Sequence, residues 1–136
     1  MATLFSRTKE RAIRLRLRNE PGATSKLRRA LDLVARASGL AADATFDLRV
    51  AATEALTNAV KGTPEDHVVD VAIEGSDGAV DVEVIDHGGV RPAFGIESAL
   101  EAESGRGIPL MLALVHEVEF ASARGRTRVR LRRVSA

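Results

Sequence analysis

Residues 68–89 read VVDVAIEGSDGAVDVEVIDHGG, and this stretch decides the fold. Apolar and polar residues alternate over 68–74 and again over 79–85, which is typical of strands with one buried face. The Ser-Asp-Gly sequence at 76–78 favours a tight turn between them. The stretch therefore predicts a β-hairpin whose second strand is followed directly by Asp-His-Gly-Gly at 86–89.

On the N-terminal side of the hairpin, the sequence predicts one strand and two helices. Alternation over 11–18 predicts a strand that ends before Pro-Gly. A helix should follow, capped by Thr24 or Ser25 and continuing to about Ser38. A second helix is predicted over 42–61, where the residues are apolar on nearly every side.

On the C-terminal side, a loop to Ser104 is predicted to contain a short helix over 96–101. A helix beginning at Gly105 and ending near His116 should follow. Two further strands are predicted over 118–121 and 126–133, joined by a turn around Gly125.

The predicted order is strand, helix, helix, strand, strand, helix, strand, strand. It contains no series of βαβ units, which disfavours a doubly wound nucleotide-binding fold. It predicts an α/β two-layer sandwich with a mixed, mostly antiparallel sheet and helices on one face. Residues 1–10 are predicted to be a polar arm, and residues 11–136 a single domain.

Composition excludes several classes of protein. The chain has 136 residues, and it contains no cysteine, so a disulfide framework and thiolate metal sites are excluded. Aromatic residues make up only 3%, which disfavours a module that stacks single-stranded bases. No apolar run approaches the length of a membrane span, and we expect a cytoplasmic protein. The three histidines share no metal-ligand spacing and are predicted to lie on the surface or at the edge of a site.

Charge is segregated along the chain although the formal net charge is only +1. Residues 1–18 carry +5, residues 19–123 carry −10 and residues 124–136 carry +6. Basic ends first suggest binding to nucleic acid. The alternating arginines of the first and last strands offer another interpretation, because opposite charges on neighbouring strands stabilise a sheet. We therefore predict that the acidic hairpin lies between the two basic strands.

The late polar residues of the second helix include the first candidate site. Glu54 and Asn58 are four residues apart, so both side chains project from one helix face. A carboxylate can deprotonate a nucleophile, and an amide oxygen is a ligand suited to Mg²⁺. Taken alone, this spacing is equally typical of a solvated helix face.

Three further motifs carry candidate chemistry. Asp86 is an acceptor suited to the amine of adenine, and Gly88 and Gly89 would let a flat base approach the backbone. The Gly105-Arg106-Gly107 turn precedes a helix, where free N–H groups can hold phosphate. Thr127 points to the buried face of the last strand, where its hydroxyl needs a partner. Each motif is also typical of an ordinary turn or a core position.

Taken in order, these motifs resemble the GHKL (Bergerat-fold) ATPase superfamily over roughly residues 11–133. In this length class the chain is most similar to anti-sigma-factor serine kinases of the RsbW and SpoIIAB type. The matching segments are Glu54-Ala-Leu-Thr-Asn58, Asp86-His-Gly-Gly89, Gly105-Arg-Gly107 and Gly125-Arg-Thr127.

The resemblance implies a role for each residue. Glu54 would be the general base, Asn58 would bind Mg²⁺, and Asp86 would accept the adenine amine with support from Thr127. Gly88 and Gly89 would admit the base. Gly105, Arg106 and Gly107 would hold the phosphates of ATP beneath a lid over about 90–104.

The resemblance also implies a function and partners. We expect an ATP- and Mg²⁺-dependent serine kinase that phosphorylates a STAS-domain antagonist and sequesters a sigma factor. We also expect that it acts as a homodimer and does not bind nucleic acid directly. Two departures from the family pattern keep an alternative open. Gly62 stands where the family often has His, and the segment at 86–89 is one residue shorter than usual. The alternative is a non-catalytic nucleotide-binding switch that acts through protein contacts.

Overall fold

The protein is described by a computed structural model that covers residues 11–61, 63, 66–87, 107–123 and 125–135. Within these ranges the chain forms five strands and three helices in the predicted order. The strands are β1 (Ala12–Arg18), β2 (Val68–Ser76), β3 (Ala79–Asp86), β4 (Glu117–Ala123) and β5 (Arg126–Val134). The helices are α1 (Ala23–Ala37), α2 (Ala42–Val60) and α3 (Gly107–Leu114). The predicted arm, the short helix at 96–101 and the lid lie outside the described residues.

The five strands form one sheet in the order β1-β2-β3-β5-β4, and each neighbouring pair is antiparallel. Helices α1 and α2 cover one face of this sheet, and α3 packs against α2. This arrangement is the two-layer sandwich that the element order predicts. The sheet is antiparallel at every pairing of the described strands, so the expected mixed character is not seen among them.

A single core fills the space between the helices and the sheet. Its inward-facing strand residues alternate with outward-facing polar ones, as in β3, where Val80, Val82 and Val84 are buried. The largest fully buried side chains come from all three helices and from two of the strands: Leu27, Leu31, Leu48, Leu56, Ile73, Met111 and Leu131. None of the helices in the described part of the chain has the length and apolar character of a membrane span.

The predicted capping of α1 is wrong. The helix begins at Ala23, so Thr24 and Ser25 lie inside its first turn, and the N-cap is Gly22 with a φ of 93°. The chain reaches this position through a turn in which the Ala23 N–H donates to the Glu20 carbonyl at 3.3 Å. Glycine adopts such a left-handed conformation without the steric cost that a Cβ brings, and no side chain caps this helix.

The boundary between α3 and β4 also differs from the prediction. The helix ends at Leu114, and the backbone N–H of His116 donates to the Arg132 carbonyl at 2.8 Å. This bond draws the chain into the sheet, so that β4 begins at Glu117 and is longer at both ends than the predicted 118–121. Cross-strand pairing, which a helical periodicity does not report, therefore sets this boundary.

The sheet face away from the helices carries the segregated charges, and the predicted arrangement is confirmed. The hairpin of β2 and β3 lies between β1 and β5. Arg16 is 2.9 Å from Asp70 across β1 and β2, and Arg132 is 2.7 Å from Asp81 across β3 and β5. Within the hairpin, however, Glu74 lies directly opposite Asp81, which is a like-charge pair.

The turn end of the hairpin is tied to the rest of the molecule by backbone contacts. The Gly78 N–H donates to the Ser38 carbonyl at 2.6 Å, and the Ser135 N–H donates to the Gly78 carbonyl at 3.0 Å. The Ser135 hydroxyl accepts the N–H of Ala41. These bonds fix one end of the sheet, and the candidate site residues Asp86 and Thr127 lie at the other end.

Candidate functional site

Asp86 is the last residue of β3, and its position in the sheet brings it beside Thr127. The two residues are direct cross-strand partners between β3 and β5. Asp86 is only 3% exposed, which makes it one of two buried polar residues among those described. Thr127 is half-buried. A buried carboxylate and a hydroxyl therefore lie side by side, as the sequence motifs predicted separately.

His67 contacts the same carboxylate, so of the two predicted positions it takes the one at the edge of the candidate site. The His67 Nε2 lies 2.7 Å from Asp86 Oδ1, and the His67 side chain is 12% exposed. A surface position is excluded, because the side chain is mostly buried against Asp86. The register of the hairpin is the feature from which the position of His67 could have been predicted. Val69 pairs with Asp86, so a residue two positions before Val69 lies on the same face of the sheet.

The chemistry of this contact assigns its proton. An ionised carboxylate is an acceptor only, so with Asp86 ionised the His67 Nε2–H is assigned as the donor and Asp86 Oδ1 as the acceptor. The histidine thus holds the Asp86 carboxylate by a charge-assisted hydrogen bond, which is stronger than a neutral one.

Glu54 and Asn58 lie together on α2, as their spacing predicted. Both are half-buried, whereas Ala51, Ala55 and Ala59 of the same helix are buried in the core. The polar pair therefore lies at the margin of the buried helix face. Helix α2 packs against β3 and β5, the two strands that carry Asp86 and Thr127.

Glu54 also lines a surface hollow of about 370 Å³ between α1 and α2. Its other lining residues are Arg28, Phe46, Arg49, Val50 and Thr53. Phe46 is 62% exposed, which corrects the expectation that this helix is apolar and buried nearly all round. A carboxylate here is thus reachable from solvent beside an exposed aromatic ring and two guanidinium groups.

Four of the predicted site residues, Gly88, Gly89, Gly105 and Arg106, lie outside the described residues. Gly107 is the first residue of α3. Across the ranges that the structure covers, no group of three or more His, Asp or Glu side chains could hold a metal ion.

A second histidine contact lies on the outer face of the sheet, next to Asp86 in sequence. The His87 Nε2 is 2.8 Å from Asp70 Oδ2, and the Arg16 Nε donates to Asp70 Oδ1 at 2.9 Å. The Arg16 hydrogen bond lowers the pKa of the Asp70 carboxyl, His87 lowers it further, and partial burial acts in the opposite direction. Asp70 is therefore ionised at neutral pH.

The residues present fit a nucleotide and its magnesium ion in chemical type. The buried Asp86 carboxylate can accept the exocyclic amine of adenine, and the neighbouring Thr127 hydroxyl can donate or accept. The Asn58 amide oxygen is a hard neutral ligand that suits Mg²⁺. Glu54 is a carboxylate close to solvent, as a base for an incoming hydroxyl must be.

Comparisons with known proteins agree with this chemistry. Residues 17–133 match the family model described as the histidine kinase-like ATPase domain. A search of curated proteins found no match.

Two solved structures resemble the fold. One holds the RsbU and RsbW domains of Rv1364c from Mycobacterium tuberculosis, with 26% identity, a TM-score of 0.64 and 92% of the present chain covered. The present chain spans only 33% of that protein's chain. The other is the SiaB–SiaC complex from Pseudomonas aeruginosa, with 17% identity, a TM-score of 0.61 and 98% and 96% of the two chains covered.

The likeness to the SiaB–SiaC structure concerns the fold alone, whereas the family model extends over most of the sequence and includes Glu54, Asn58, Asp86 and Thr127. The chain therefore belongs to the histidine kinase-like ATPase domain family.

Proposed function

We propose that this protein is an ATP- and Mg²⁺-dependent serine kinase whose substrate is a STAS-domain antagonist and whose second partner is a sigma factor. The observation that carries the proposal is the buried Asp86 carboxylate, 3% exposed, directly beside Thr127 at the end of β3. Burial of a carboxylate is costly unless it has partners, and His67 supplies one at 2.7 Å. The Thr127 residue beside Asp86 adds a hydroxyl, and the two polar groups together suit recognition of a nucleotide base.

In this proposal the nucleotide is held at both ends by different elements. Asp86 accepts the adenine amine with Thr127 beside it, and Gly88 and Gly89 admit the flat base. Asn58 supplies an oxygen ligand for Mg²⁺, and Gly105, Arg106 and Gly107 hold the phosphates. When bound, the metal ion neutralises charge on the phosphates, which is the main requirement of phosphoryl transfer.

Glu54 is the proposed general base. It accepts the proton of the substrate serine hydroxyl while the serine oxygen bonds to the γ-phosphorus. The bond from that phosphorus to the β–γ bridging oxygen breaks, and ADP leaves. The surface hollow that Glu54 shares with Phe46 and Arg28 gives the partner protein a place to dock.

Nucleotide binding is tested first, by isothermal titration calorimetry with ATP at millimolar Mg²⁺. We expect binding by the wild type and a large loss in the Asn58→Ala variant, because the metal loses its ligand. The matched control is Thr57→Ala, which changes an exposed neighbour on the same helix turn. Unchanged binding in Asn58→Ala would remove the magnesium assignment, and no binding by the wild type would overturn the proposal.

Transfer is tested with γ-labelled ATP and candidate STAS proteins. We expect labelling of a serine by the wild type, and retained ATP binding with loss of labelling in Glu54→Gln, which keeps the shape and removes the base. Binding without transfer in the wild type favours the non-catalytic switch instead.

Light scattering tests the proposed homodimer, and cell fractionation tests the proposed cytoplasmic location.

A further inference from the structure

The contact between His67 and Asp86 has a geometry that ordinary packing does not require. The two side chains are 12% and 4% exposed, and their polar atoms are 2.7 Å apart. His67 reaches Asp86 from outside the strands, since it lies one residue before the start of β2. Its placement thus depends on the segment that connects α2 to β2.

That segment is itself held by the end of β1. The Asn19 Nδ2 donates to the Thr63 carbonyl at 2.9 Å, and the Arg18 Nη1 donates to the Asp66 carbonyl at 3.2 Å. The last side chain of β1 and the side chain that follows it therefore hold the backbone on the N-terminal side of His67. This support gives the imidazole a defined position against the carboxylate.

An aspartate needs such support if it is to distinguish one base from another. The terminal torsion of aspartate is broad, so an unsupported carboxylate samples many orientations. A hydrogen bond from the His67 Nε2–H to Oδ1 restricts this rotation. A carboxylate has about four lone-pair sites, so acceptor capacity remains for a further donor.

We propose that His67 is a positioning residue for base selectivity, which orients Asp86 toward the exocyclic amine of a 6-aminopurine nucleotide. The inference rests on the proposed function, because it needs a nucleotide at Asp86. It goes beyond that function, because the preference for a base with an amino group then depends on His67, which lies outside the sequence motifs assigned to the nucleotide site. In this proposal His67 contacts Asp86, and Asp86 contacts the purine base of the nucleotide.

The test compares ATP with purine riboside triphosphate, which lacks the 6-amino group, by calorimetry. His67→Phe keeps a ring of similar bulk and removes the donor. We expect it to weaken ATP binding about tenfold, as for the loss of a hydrogen bond to a charged group, with little change for the amine-free analogue. The preference for ATP over purine riboside triphosphate should therefore be largely lost. His67→Gln retains an N–H donor and should preserve most of the preference.

A double-variant cycle with Asp86→Ala separates orientation from packing. If His67 acts through Asp86, His67→Phe should have no further effect on ATP affinity once Asp86 is truncated. Equal weakening of both nucleotides by His67→Phe, or an additive effect in the double variant, would show a merely structural role and overturn the inference.

A measurement on the wild type needs no variant to fold. In NMR spectra, the His67 Nε2–H resonance should shift on addition of ATP and stay nearly unchanged with the amine-free analogue at saturation. Identical responses to the two nucleotides would refute recognition of the 6-amino group through the His67–Asp86 pair.

If the wild type binds neither nucleotide, the proposed function fails and this inference fails with it. If it binds ATP but His67→Phe keeps the full preference, only the inference fails.

Discussion

Gly75 lies in β2 against the C-terminal end of α1, where a side chain has no room. A Cβ built at this position would overlap the Ser38 hydroxyl and lie 3.0 Å from Val34 Cγ1. We expect Gly75→Ala to lower the free energy of unfolding by about 1–3 kcal/mol, which is the usual cost of overpacking a core. Urea unfolding followed by circular dichroism measures the change.

The neighbouring exposed residue Ser76 provides the control for this prediction. Ser76→Ala should change the free energy of unfolding by no more than about 0.5 kcal/mol. Combining Gly75→Ala with Ser38→Gly removes the hydroxyl that overlaps and should restore part of the loss. An unchanged unfolding midpoint in Gly75→Ala would mean that α1 can move away from β2 at little cost.

Asp70 makes stability depend on pH in a defined direction. Its pKa is lowered, chiefly by the hydrogen bond from Arg16, so its contribution is present above the unfolded-state pKa of about 3.9. The contribution is lost as pH falls through the lower pKa of the folded state. We expect Arg16→Ala to cost little stability at pH 7, because the pair is exposed, and nearly nothing near pH 2.

Arg14 is the matched control for this pH dependence. It lies on the same strand and face as Arg16, but its cross-strand neighbour is Ala72. The difference in unfolding free energy between the wild type and Arg14→Ala should therefore change little with pH. The assignment to the Arg16–Asp70 pair is refuted if the two variants have the same pH dependence in urea titrations.

Helix α2 combines a core-facing side with a side that is open to solvent near Phe46 and Glu54. Phe46 is 62% exposed beside Glu54 in the hollow between α1 and α2. If the partner docks here, Phe46→Ala should raise the KM for the STAS protein about tenfold or more, because burial of an aromatic ring contributes roughly 1.5–3 kcal/mol. Steady-state phosphorylation assays measure this, and kcat and ATP affinity should change little.

Leu33 of α1 gives a comparison for the Phe46 variant. It is 55% exposed and does not line the hollow. Leu33→Ala should leave the KM for the partner near the wild-type value, and neither variant should alter the thermal midpoint much. Equal KM values for Phe46→Ala and the wild type would place the docking surface elsewhere on the molecule.

For the whole molecule, local patterns were sufficient to predict the element order and the layers. Alternation identified β2 and β3, and the turn residues between them favoured a hairpin. The structure pairs Ser76 with Ala79, so the turn has two residues, Asp77 and Gly78, and not the predicted three. Segregated charge then predicted the place of the hairpin in the sheet. The spacing of Glu54 and Asn58 put them on one helix face, which the structure confirms.

The features that the sequence could not reveal depend on distant contacts. His67 reaches Asp86 from a segment whose Thr63 and Asp66 carbonyls accept hydrogen bonds from Asn19 and Arg18. The start of α1 depends on a left-handed glycine rather than on a capping side chain. The exposure of Phe46 depends on how much of α2 the sheet and α1 cover. Periodicity describes one element at a time and carries no information on such contacts.

The strand order makes charge on the open sheet face a property of the whole molecule. Asp81 is central to it, with Arg130 at 2.9 Å and Arg132 at 2.7 Å, and with the like-charged Glu74 opposite. Asp81→Ala should therefore lower the free energy of unfolding by about 1 kcal/mol at low salt, whereas Glu74→Ala should leave it unchanged or raise it slightly.

Salt distinguishes this charge effect from packing. The Debye length falls from about 10 Å at 0.1 M to about 3 Å at 1 M ionic strength, and these ion pairs are partly exposed, with the Asp81 side chain at 22%. The wild type should therefore lose stability as NaCl rises from low concentration to 0.5 M, and Asp81→Ala should lose less. Urea titrations at each salt concentration measure the stability of the wild type and of Asp81→Ala.

If the wild type instead gains stability over this range, repulsion among the arginines and among the acids outweighs their cross-strand pairing. The strand order would then have to be explained by the apolar face alone.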